Sequence, residues 1–313
     1  MTLMTRRQAL AATALLPAAA FLPRAVMAET AAPAMQGAGF APWNRFKLGS
    51  FEVTTLLAAT RTSNDPPQET FGMNASPEEF AALSAENFLP ADRNQSFFTP
   101  TLVNTGAELV LFDTGLSAEG TLTAMAAAGV MPDQVSVVVL THMHPDHIGG
   151  LMGADGVTPT FSNARYVTGS VEHNFWSGAA NDGFDAAVTP LNDKMTFLDE
   201  GGSPVSGITA MLAAGHTPGH MAYQIESAGQ RLMITADTAN HYVWSLQRPD
   251  WEVRFDADKA AAAATRRAVF GQIAADRIPF IGYHMPFPGL GYVETAGDGF
   301  RYVPESYQMM LNG

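Results

Sequence analysis

The 313-residue chain contains no cysteine. This absence excludes disulfide bonds, thiolate metal ligands and cysteine nucleophiles, so a bound metal ion would have to be held by nitrogen and oxygen donors. Basic residues are also few, with 17 Lys and Arg against 30 Asp and Glu and a formal net charge of −13. Because nucleic-acid binding depends on concentrated positive charge, we expect no nucleic-acid partner.

The N-terminus lacks an apolar run long enough to span a membrane. Its uncharged run, Ala9 to Leu22, is too short for a bilayer of ~30 Å at ~1.5 Å per residue. The run follows Arg6 and Arg7 and precedes the small-residue site Val26-Met27-Ala28, which is the pattern of an export signal. The arginine pair resembles a twin-arginine signal, and an ordinary Sec signal with two arginines is the alternative. We therefore predict a signal peptide over residues 1–28, a periplasmic or secreted location, and no membrane association after cleavage.

After a lead-in over residues 29–42, rich in Ala, Pro and Gly and predicted to be flexible, strands and helices alternate to the end of the chain. Helices are predicted over Pro77 to Glu86, over Glu119 to Ala128, and from a cap at Asp256 to about Ala275. The predicted strands are Phe46–Ala58, Phe97–Asn104, Leu109–Phe112, Ser136–Leu140, Ala164–Thr168, Ile208–Ala213, Met221–Glu226, Arg231–Thr235 and, as the last one, Ile278–Ile281. This pattern predicts one α/β catalytic domain over residues 43–313, with helices outside two stacked sheets.

Four residues that can bind metal ions stand within six positions, directly after the apolar strand Ser136–Leu140. They are His142, His144, Asp146 and His147. Loops at strand ends are where rigid scaffolds present functional side chains, and imidazole together with carboxylate suits zinc and neighbouring divalent metals. Gly149 and Gly150 permit the tight turn that such closely spaced ligands need. The segment predicts a metal site, and the same donors would also accept manganese, iron or cobalt.

The segment from Thr141 to Gly150 resembles the metal-binding signature of the metallo-β-lactamase superfamily. The resemblance implies an αββα sandwich of two mixed sheets and a dinuclear site, with two divalent metal ions that are expected to be zinc. By analogy, the first ion would take His142, His144 and His216, the last from His216-Thr217-Pro218-Gly219-His220. The second would take Asp146, His147 and His284, with Asp237 bridging the two ions.

Further polar residues have weaker assignments. The resemblance implies that Asp113 orients a ligand histidine, and His220 is expected to support the site through a hydrogen bond. His241 stands four residues after Asp237 and could touch substrate or water, with a surface or structural role as the alternative. For His173 we expect a solvent-facing helical position.

Outside the ligands, the chain is similar to methyl parathion hydrolase and its lactonase and aryl-esterase relatives. The similarity rests on Leu111-Phe112-Asp113-Thr114-Gly115, on Phe175-Trp176 and on His284-Met285-Pro286-Phe287-Pro288-Gly289. It implies a pocket lined by large side chains, with Trp176 in its wall, and a homodimer. The loop Leu116-Ser117-Ala118-Glu119-Gly120 is shorter than the family's and lacks its pocket phenylalanine, which weighs against organophosphates.

Together these observations predict a metallohydrolase that cleaves a small neutral ester or lactone. A hydroxide bridging the two metal ions would be the nucleophile, and Asp146 would pass a proton to the leaving group. A phosphotriester hydrolase is the alternative within the same chemistry. A β-lactamase and a metal-binding protein without catalysis are the more distant alternatives.

Overall fold

The computed structural model describes residues 38–312. The predicted signal peptide and residues 29–37 of the lead-in lie outside this range. Between residues 38 and 312, no helix is both long and apolar enough to cross a membrane.

The first large sheet has seven strands in the order β1-β2-β5-β6-β7-β8-β9. Its strands are β1 (Trp43–Leu48), β2 (Phe51–Leu56), β5 (Thr101–Asn104), β6 (Leu109–Phe112), β7 (Val137–Val139), β8 (Arg165–Gly169) and β9 (Met195–Leu198). Pairing is antiparallel from β1 to β6 and parallel from β6 to β9. The parallel strands end on the same edge, and this edge carries the residues of the site.

The second large sheet has six strands in sequence order, and only β12 and β13 pair in parallel. Its strands are β10 (Ile208–Leu212), β11 (Met221–Ser227), β12 (Gln230–Ala236), β13 (Phe280–Gly282), β14 (Leu290–Ala296) and β15 (Gly299–Pro304). A separate two-stranded hairpin consists of β3 (Ala59–Ser63) and β4 (Asn94–Phe98).

Within residues 38–312, six α-helices and several short 3₁₀ turns join the strands. The helices are α1 (Pro77–Glu86), α2 (Ala118–Ala127), α3 (Pro145–Ile148), α4 (Ser170–Gly178), α5 (Asp182–Ala187) and α6 (Lys259–Asp276); the 3₁₀ turns are Pro67–Glu69, Pro132–Gln134, Thr189–Lys194 and Gln308–Asn312. The cap predicted for α1 is present, since Ser76 and the Glu79 side chain exchange hydrogen bonds with each other's backbone N–H.

Side-chain alternation along the strands separates a shared core from two outer layers. In the first sheet, Val137 and Val139 face the second sheet, whereas Val138 faces the helices. In the second sheet, Ile234 faces the shared core and Met233 packs in the layer that contains α6. Each such buried aliphatic side chain contributes roughly 1.5–3 kcal/mol to folding. The predicted sandwich of two stacked sheets with helices outside is confirmed.

Three predicted elements differ from the structure. The strand predicted over Phe46–Ala58 is a hairpin that turns at Gly49, whose φ of 60° places it in the left-handed region. The segment Phe97–Asn104 is divided between β4 and β5, because the chain leaves one sheet for another at Pro100. The strand before His284 is not the last, since β14 and β15 follow it. In the first two cases the predicted strand runs through a turn, which the apolar pattern alone did not mark.

Candidate metal centre

The predicted ligand segment leaves the end of β7 and turns at once into the short helix α3. Thr141 directs the start of this turn, because its N–H and its hydroxyl both donate to the Asp113 carboxylate at 2.9 Å. His144 is the residue before the first turn of α3, and Pro145 occupies its first position. A proline is tolerated there because the N–H it lacks would have no helical partner.

Gly149 and Gly150 are needed here for close packing and not for unusual backbone angles. Gly149 has a φ of −64°. A Cβ on Gly149 would lie 2.3 Å from the Leu116 carbonyl oxygen, and one on Gly150 would lie 2.1 Å from that of Thr114. The glycines therefore let α3 pack directly against the loop that follows β6.

The predicted ligands gather into two groups. The first contains His142, His144 and His216, and the second contains Asp146, His147, Asp237 and His284; within each group the donor atoms lie within 4.8 Å of one another. In the first group, His144 Nδ1 lies 3.1 Å from His142 Nε2 and 2.9 Å from His216 Nε2.

Asp237, at the end of β12, stands between the two groups. Its Oδ1 lies 3.3 Å from His147 Nε2 in the second group. Its Oδ2 lies 3.2 Å from His284 Nε2 and 3.3 Å from His216 Nε2, which belongs to the first group. The carboxylate therefore faces both groups, as a bridging ligand must.

Hydrogen bonds on the outer nitrogens orient the ligand histidines. The Nδ1 atoms of His147 and His216 lie 2.8 and 2.9 Å from the carboxylates of Asp113 and Asp256, respectively. His284 Nδ1 donates to the carbonyl oxygen of Phe97 at 2.8 Å. These contacts leave each Nε2 free of a proton when a metal ion is bound, and they set the direction of the ring.

The donor set fits divalent metal ions. The inward-facing atoms His147 Nε2 and Asp237 Oδ1 are buried and have no hydrogen-bond partner within residues 38–312. Buried polar atoms of this kind are costly unless something binds them. Three or four nitrogen and oxygen donors in each group match the number that zinc takes from proteins.

The electrostatics of the metal-free site also favour a cation. Burial by itself lowers the pKa of His147, but the carboxylates of Asp237, Asp146 and Asp113 raise it well above its usual range. The pKa of His284 is raised to about 10 by Asp237 and Asp146, again against the effect of burial. The second group thus attracts positive charge, which protons supply until a metal ion replaces them.

The two predicted supporting residues both contact ligands. Asp113 lies 2.8 Å from His147 Nδ1 and has a φ of 58°, which is rare for a residue other than glycine. His220 accepts a hydrogen bond from the backbone N–H of Asp237 on its Nε2 at 3.1 Å. Asp113 therefore orients the His147 side chain, and His220 fixes the backbone of Asp237.

A buried ion pair behind His216 was not predicted as part of the site. Asp256 was expected to cap the last helix, but α6 begins three residues later and Asp258 caps it. The Asp256 carboxylate instead lies between His216 Nδ1 at 2.9 Å and Arg266 Nη2 at 3.0 Å. Arg266 also donates to the carbonyl oxygens of Thr238 and Pro249. The pair therefore joins a ligand to the loop after β12.

Glu172 is a second supporting residue that the sequence did not reveal. Its side chain is fully buried in α4. One carboxylate oxygen accepts hydrogen bonds from the Met143 N–H at 3.0 Å and from the Trp176 indole at 2.7 Å. The other accepts from the Thr217 hydroxyl at 2.7 Å and the Gly219 N–H at 3.1 Å. Glu172 thereby ties together the two loops that carry the first group of ligands.

A cavity of about 380 Å³ opens directly over the donors. His144, Asp146, His216, Asp237 and His284 form its floor. The hairpin β3–β4, the segment from Asp65 to Phe71, and residues 254 and 255 form its walls. Its volume is within the range of small-molecule sites.

Trp176, which was expected in the pocket wall, and His241, which could have touched substrate or water, do not line this cavity. Trp176 packs edge-on against His144 with the ring centroids 5.8 Å apart, and its N–H points to Glu172. His241 is buried and stacks on Trp244 at 3.9 Å, while its Nδ1 accepts two backbone N–H groups. His173 is half-buried and pairs with Asn192, away from the site. Asn240, adjacent to His241, does line the cavity.

Residues 99–279 match the Metallo-beta-lactamase superfamily model, and the chain belongs to this superfamily. Together with the His and Asp donors, this membership defines a metal-dependent hydrolase. The predicted superfamily is confirmed.

Three similar proteins each share 28% sequence identity or less with the chain. The chain is 28% identical over 148 residues to the lactamase-like protein nscB of Neosartorya fischeri, covering 46% of this chain but only 38% of that protein. Among solved structures, it is similar to AidC, described as a dizinc quorum-quenching lactonase, with 26% identity, a TM-score of 0.78, and coverage of 85% of this chain and 98% of AidC. The hydrolase AbOPH gives 24% identity and a TM-score of 0.77, with coverage of 87% and 100%.

Proposed function

We propose that the protein hydrolyses a neutral ester or lactone group with two divalent metal ions, for which zinc fits the donors best. The observation that carries the proposal is the position of Asp237, whose oxygens face both donor groups beneath one open cavity. A protein that only stored metal ions would need neither a shared carboxylate nor a cavity for a substrate.

Each donor group would hold one ion, with Asp237 shared between them. When bound, two such ions supply Lewis acidity at the substrate's carbonyl group and activate water near neutral pH. No serine or cysteine nucleophile is then required. The chain's own contribution is to orient the donors and to move protons.

Asp146 is placed for proton transfer. Its side chain lines the cavity and is 20% exposed. Burial by itself raises its pKa, but His147 and His284 lower it to about 2, so the carboxylate is ionised at neutral pH. From the cavity floor it can accept a proton from the attacking water and deliver it to the leaving oxygen.

The cavity suits a small substrate with an apolar part. Phe71, Phe98, Leu116 and Phe255 contribute to its wall beside the polar floor. Apolar walls with a few convergent polar groups are the usual form of a small-molecule site. The similarity to AidC, described as a lactonase, supports a lactone ahead of a phosphotriester.

The test is a panel of substrates on the zinc-loaded full-length protein. The panel contains aryl esters, γ- and δ-lactones, an aryl phosphotriester and a chromogenic β-lactam, and metal content is measured alongside. We expect about two metal ions per chain and the highest kcat/KM on an ester or a lactone. Faster turnover of the phosphotriester or the β-lactam would reassign the substrate, and no turnover would refute catalysis.

Two variants separate the site from general damage. Asp237→Asn should lower kcat/KM by about 10³-fold or more, the scale of losing a group that acts on developing charge. His173→Gln replaces a histidine outside the site and should change kcat/KM by less than about twofold, as surface changes usually do. Equal losses of kcat/KM in the two variants would contradict the assignment of Asp237 to the active site.

A further inference from the structure

Two arginines line the cavity above the donors. Arg61, in β3, and Arg254, in the loop before α6, are both exposed and both contribute to the wall. Neither side chain makes a hydrogen bond or an ion pair within residues 38–312. Arg254 instead lies over the Phe255 ring, with its guanidinium carbon 4.8 Å from the centroid.

The register of the hairpin explains why Arg61 faces the cavity. In the β3–β4 pairing, Ala59 is opposite Phe98, Arg61 is opposite Ser96, and Ser63 is opposite Asn94. Side chains two residues apart share a face of a strand. This face is therefore apolar at Phe98, where the ring centroid lies 5.4 Å from that of His284. It becomes cationic at Arg61, one step of ~7 Å further from the donors.

Backbone hydrogen bonds hold Arg254 in the wall of the cavity. The Arg254 N–H donates to the Thr70 carbonyl oxygen at 2.8 Å, and the Gly72 N–H donates to the Glu252 carbonyl oxygen at 2.9 Å. These two bonds join the arginine's loop to the segment that carries Phe71. The position of Arg254 is thus set by the fold and not by a salt bridge.

The acidic residues of the wall, Asp65 and Glu69, make no ion pair with the arginines. Asp65 is hydrogen-bonded to Ser63, and neither Asp65 nor Glu69 forms an ion pair within residues 38–312. The whole chain carries a formal charge of −13, which repels anions at long range. Arg61 and Arg254 would give an anionic group in the cavity a local attraction, through charge-assisted hydrogen bonds to the guanidinium forks.

We infer that the substrate carries an oxyanion, such as a carboxylate, at the end opposite its scissile ester or lactone group, and that Arg61 and Arg254 bind this oxyanion. The inference rests on the proposed function for the identity of the scissile group. The overall charge of the chain favoured a fully neutral substrate. The cavity favours one that is neutral where it reacts and anionic at the end that reaches Arg61 and Arg254.

The first experiment compares two esters of equal length, mono-4-nitrophenyl glutarate and 4-nitrophenyl pentanoate, on the zinc-loaded full-length protein. They differ only in a terminal carboxylate in place of a methyl group. We expect the glutarate ester to have the higher kcat/KM, through a lower KM. Arg61→Gln and Arg254→Gln should each reduce this preference about 5- to 10-fold, equivalent to about 1–1.4 kcal/mol.

Lys47→Gln is the matched control, because Lys47 is an exposed base of β1 outside the cavity and also has no hydrogen bond or ion pair within residues 38–312. It should leave the preference unchanged. The part of the preference that the arginine substitutions remove should fall with added salt, because salt screens the arginines. Equal kcat/KM for the two esters, or a preference that survives both arginine substitutions, overturns the inference.

A binding experiment separates this inference from the proposed function. Glutarate and pentanoate are titrated calorimetrically, and 4-phosphonobutanoate tests whether the site prefers a phosphonate to a carboxylate. Tighter binding of either dianion that Arg61→Gln and Arg254→Gln abolish supports the oxyanion site even without ester turnover. Ester turnover with no such difference in binding refutes the oxyanion site alone.

Discussion

Asp256→Asn should damage the metal centre without touching a metal ligand. The carboxylate now accepts from two buried donors, His216 Nδ1 at 2.9 Å and Arg266 Nη2 at 3.0 Å. An asparagine of the same shape has one oxygen, so its NH₂ group must face one of these donors. If it faces His216, the imidazole must move its proton to Nε2, which then cannot bind metal.

The magnitude follows from the burial of the pair. Both carboxylate and guanidinium side chains are 1% exposed. Breaking a buried pair by removing one partner costs about 3–5 kcal/mol. Loss of a carboxylate that orients a ligand histidine typically lowers metal affinity about 10- to 100-fold. We therefore expect Asp256→Asn to lower the free energy of unfolding by about 3–5 kcal/mol and zinc affinity by at least tenfold.

The assay combines urea unfolding of the metal-free protein with zinc titration against a chromophoric chelator. Asp258→Asn is the control, because Asp258 caps α6 by accepting the Ala261 N–H at 2.9 Å and asparagine caps equally well. Asp258→Asn should leave both the free energy of unfolding and the zinc affinity nearly unchanged. An Asp256→Asn protein that loses less than about 1 kcal/mol and binds zinc within threefold of the unaltered protein would refute this account.

Three further predictions follow from the same centre. Glu172→Gln should lower the free energy of unfolding by about 2–4 kcal/mol in urea titrations, because an amide cannot accept all four hydrogen bonds. Gly150→Ala should lower the free energy of unfolding by at least about 3 kcal/mol, because the added Cβ would contact the Thr114 oxygen. Gly178→Ala has open space around its Cβ position and should be tolerated. Similar unfolding midpoints for the two variants would contradict the packing argument. Zinc binding at pH 8 should release protons, because burial lowers the pKa of His284 less than Asp237 and Asp146 raise it, to about 10, so its ring is protonated in the metal-free protein. The pKa of His147 is raised in the same direction, and zinc affinity should fall as the pH is lowered. Calorimetry in buffers of different ionisation enthalpy measures this release, and a value of zero would show that the rings were neutral.

Four of the candidate metal ligands could be predicted from one short segment, and His216, Asp237 and His284 from the resemblance to the superfamily. His142 to His147 stand at the end of an apolar strand, and this local pattern already indicated a metal site. The alternation of apolar residues likewise indicated stacked sheets with outer helices, since the period of two along a strand is a local property. The Ser76 cap of α1 could be predicted for the same reason.

The supporting residues and the cavity were decided only by the tertiary structure. Asp256 had the sequence context of a helix cap, and nothing near it in the chain indicated His216 or Arg266 as its partners. Glu172 and Arg61 are equally ordinary in sequence. Their roles arise because folding removes water from Glu172 and Asp256, which forces their charges to find specific partners, and because it places Arg61 and Arg254 in the wall of one cavity. Sequence alone therefore determined which residues could bind metal, and the packed structure decided what holds them in place and what can approach them.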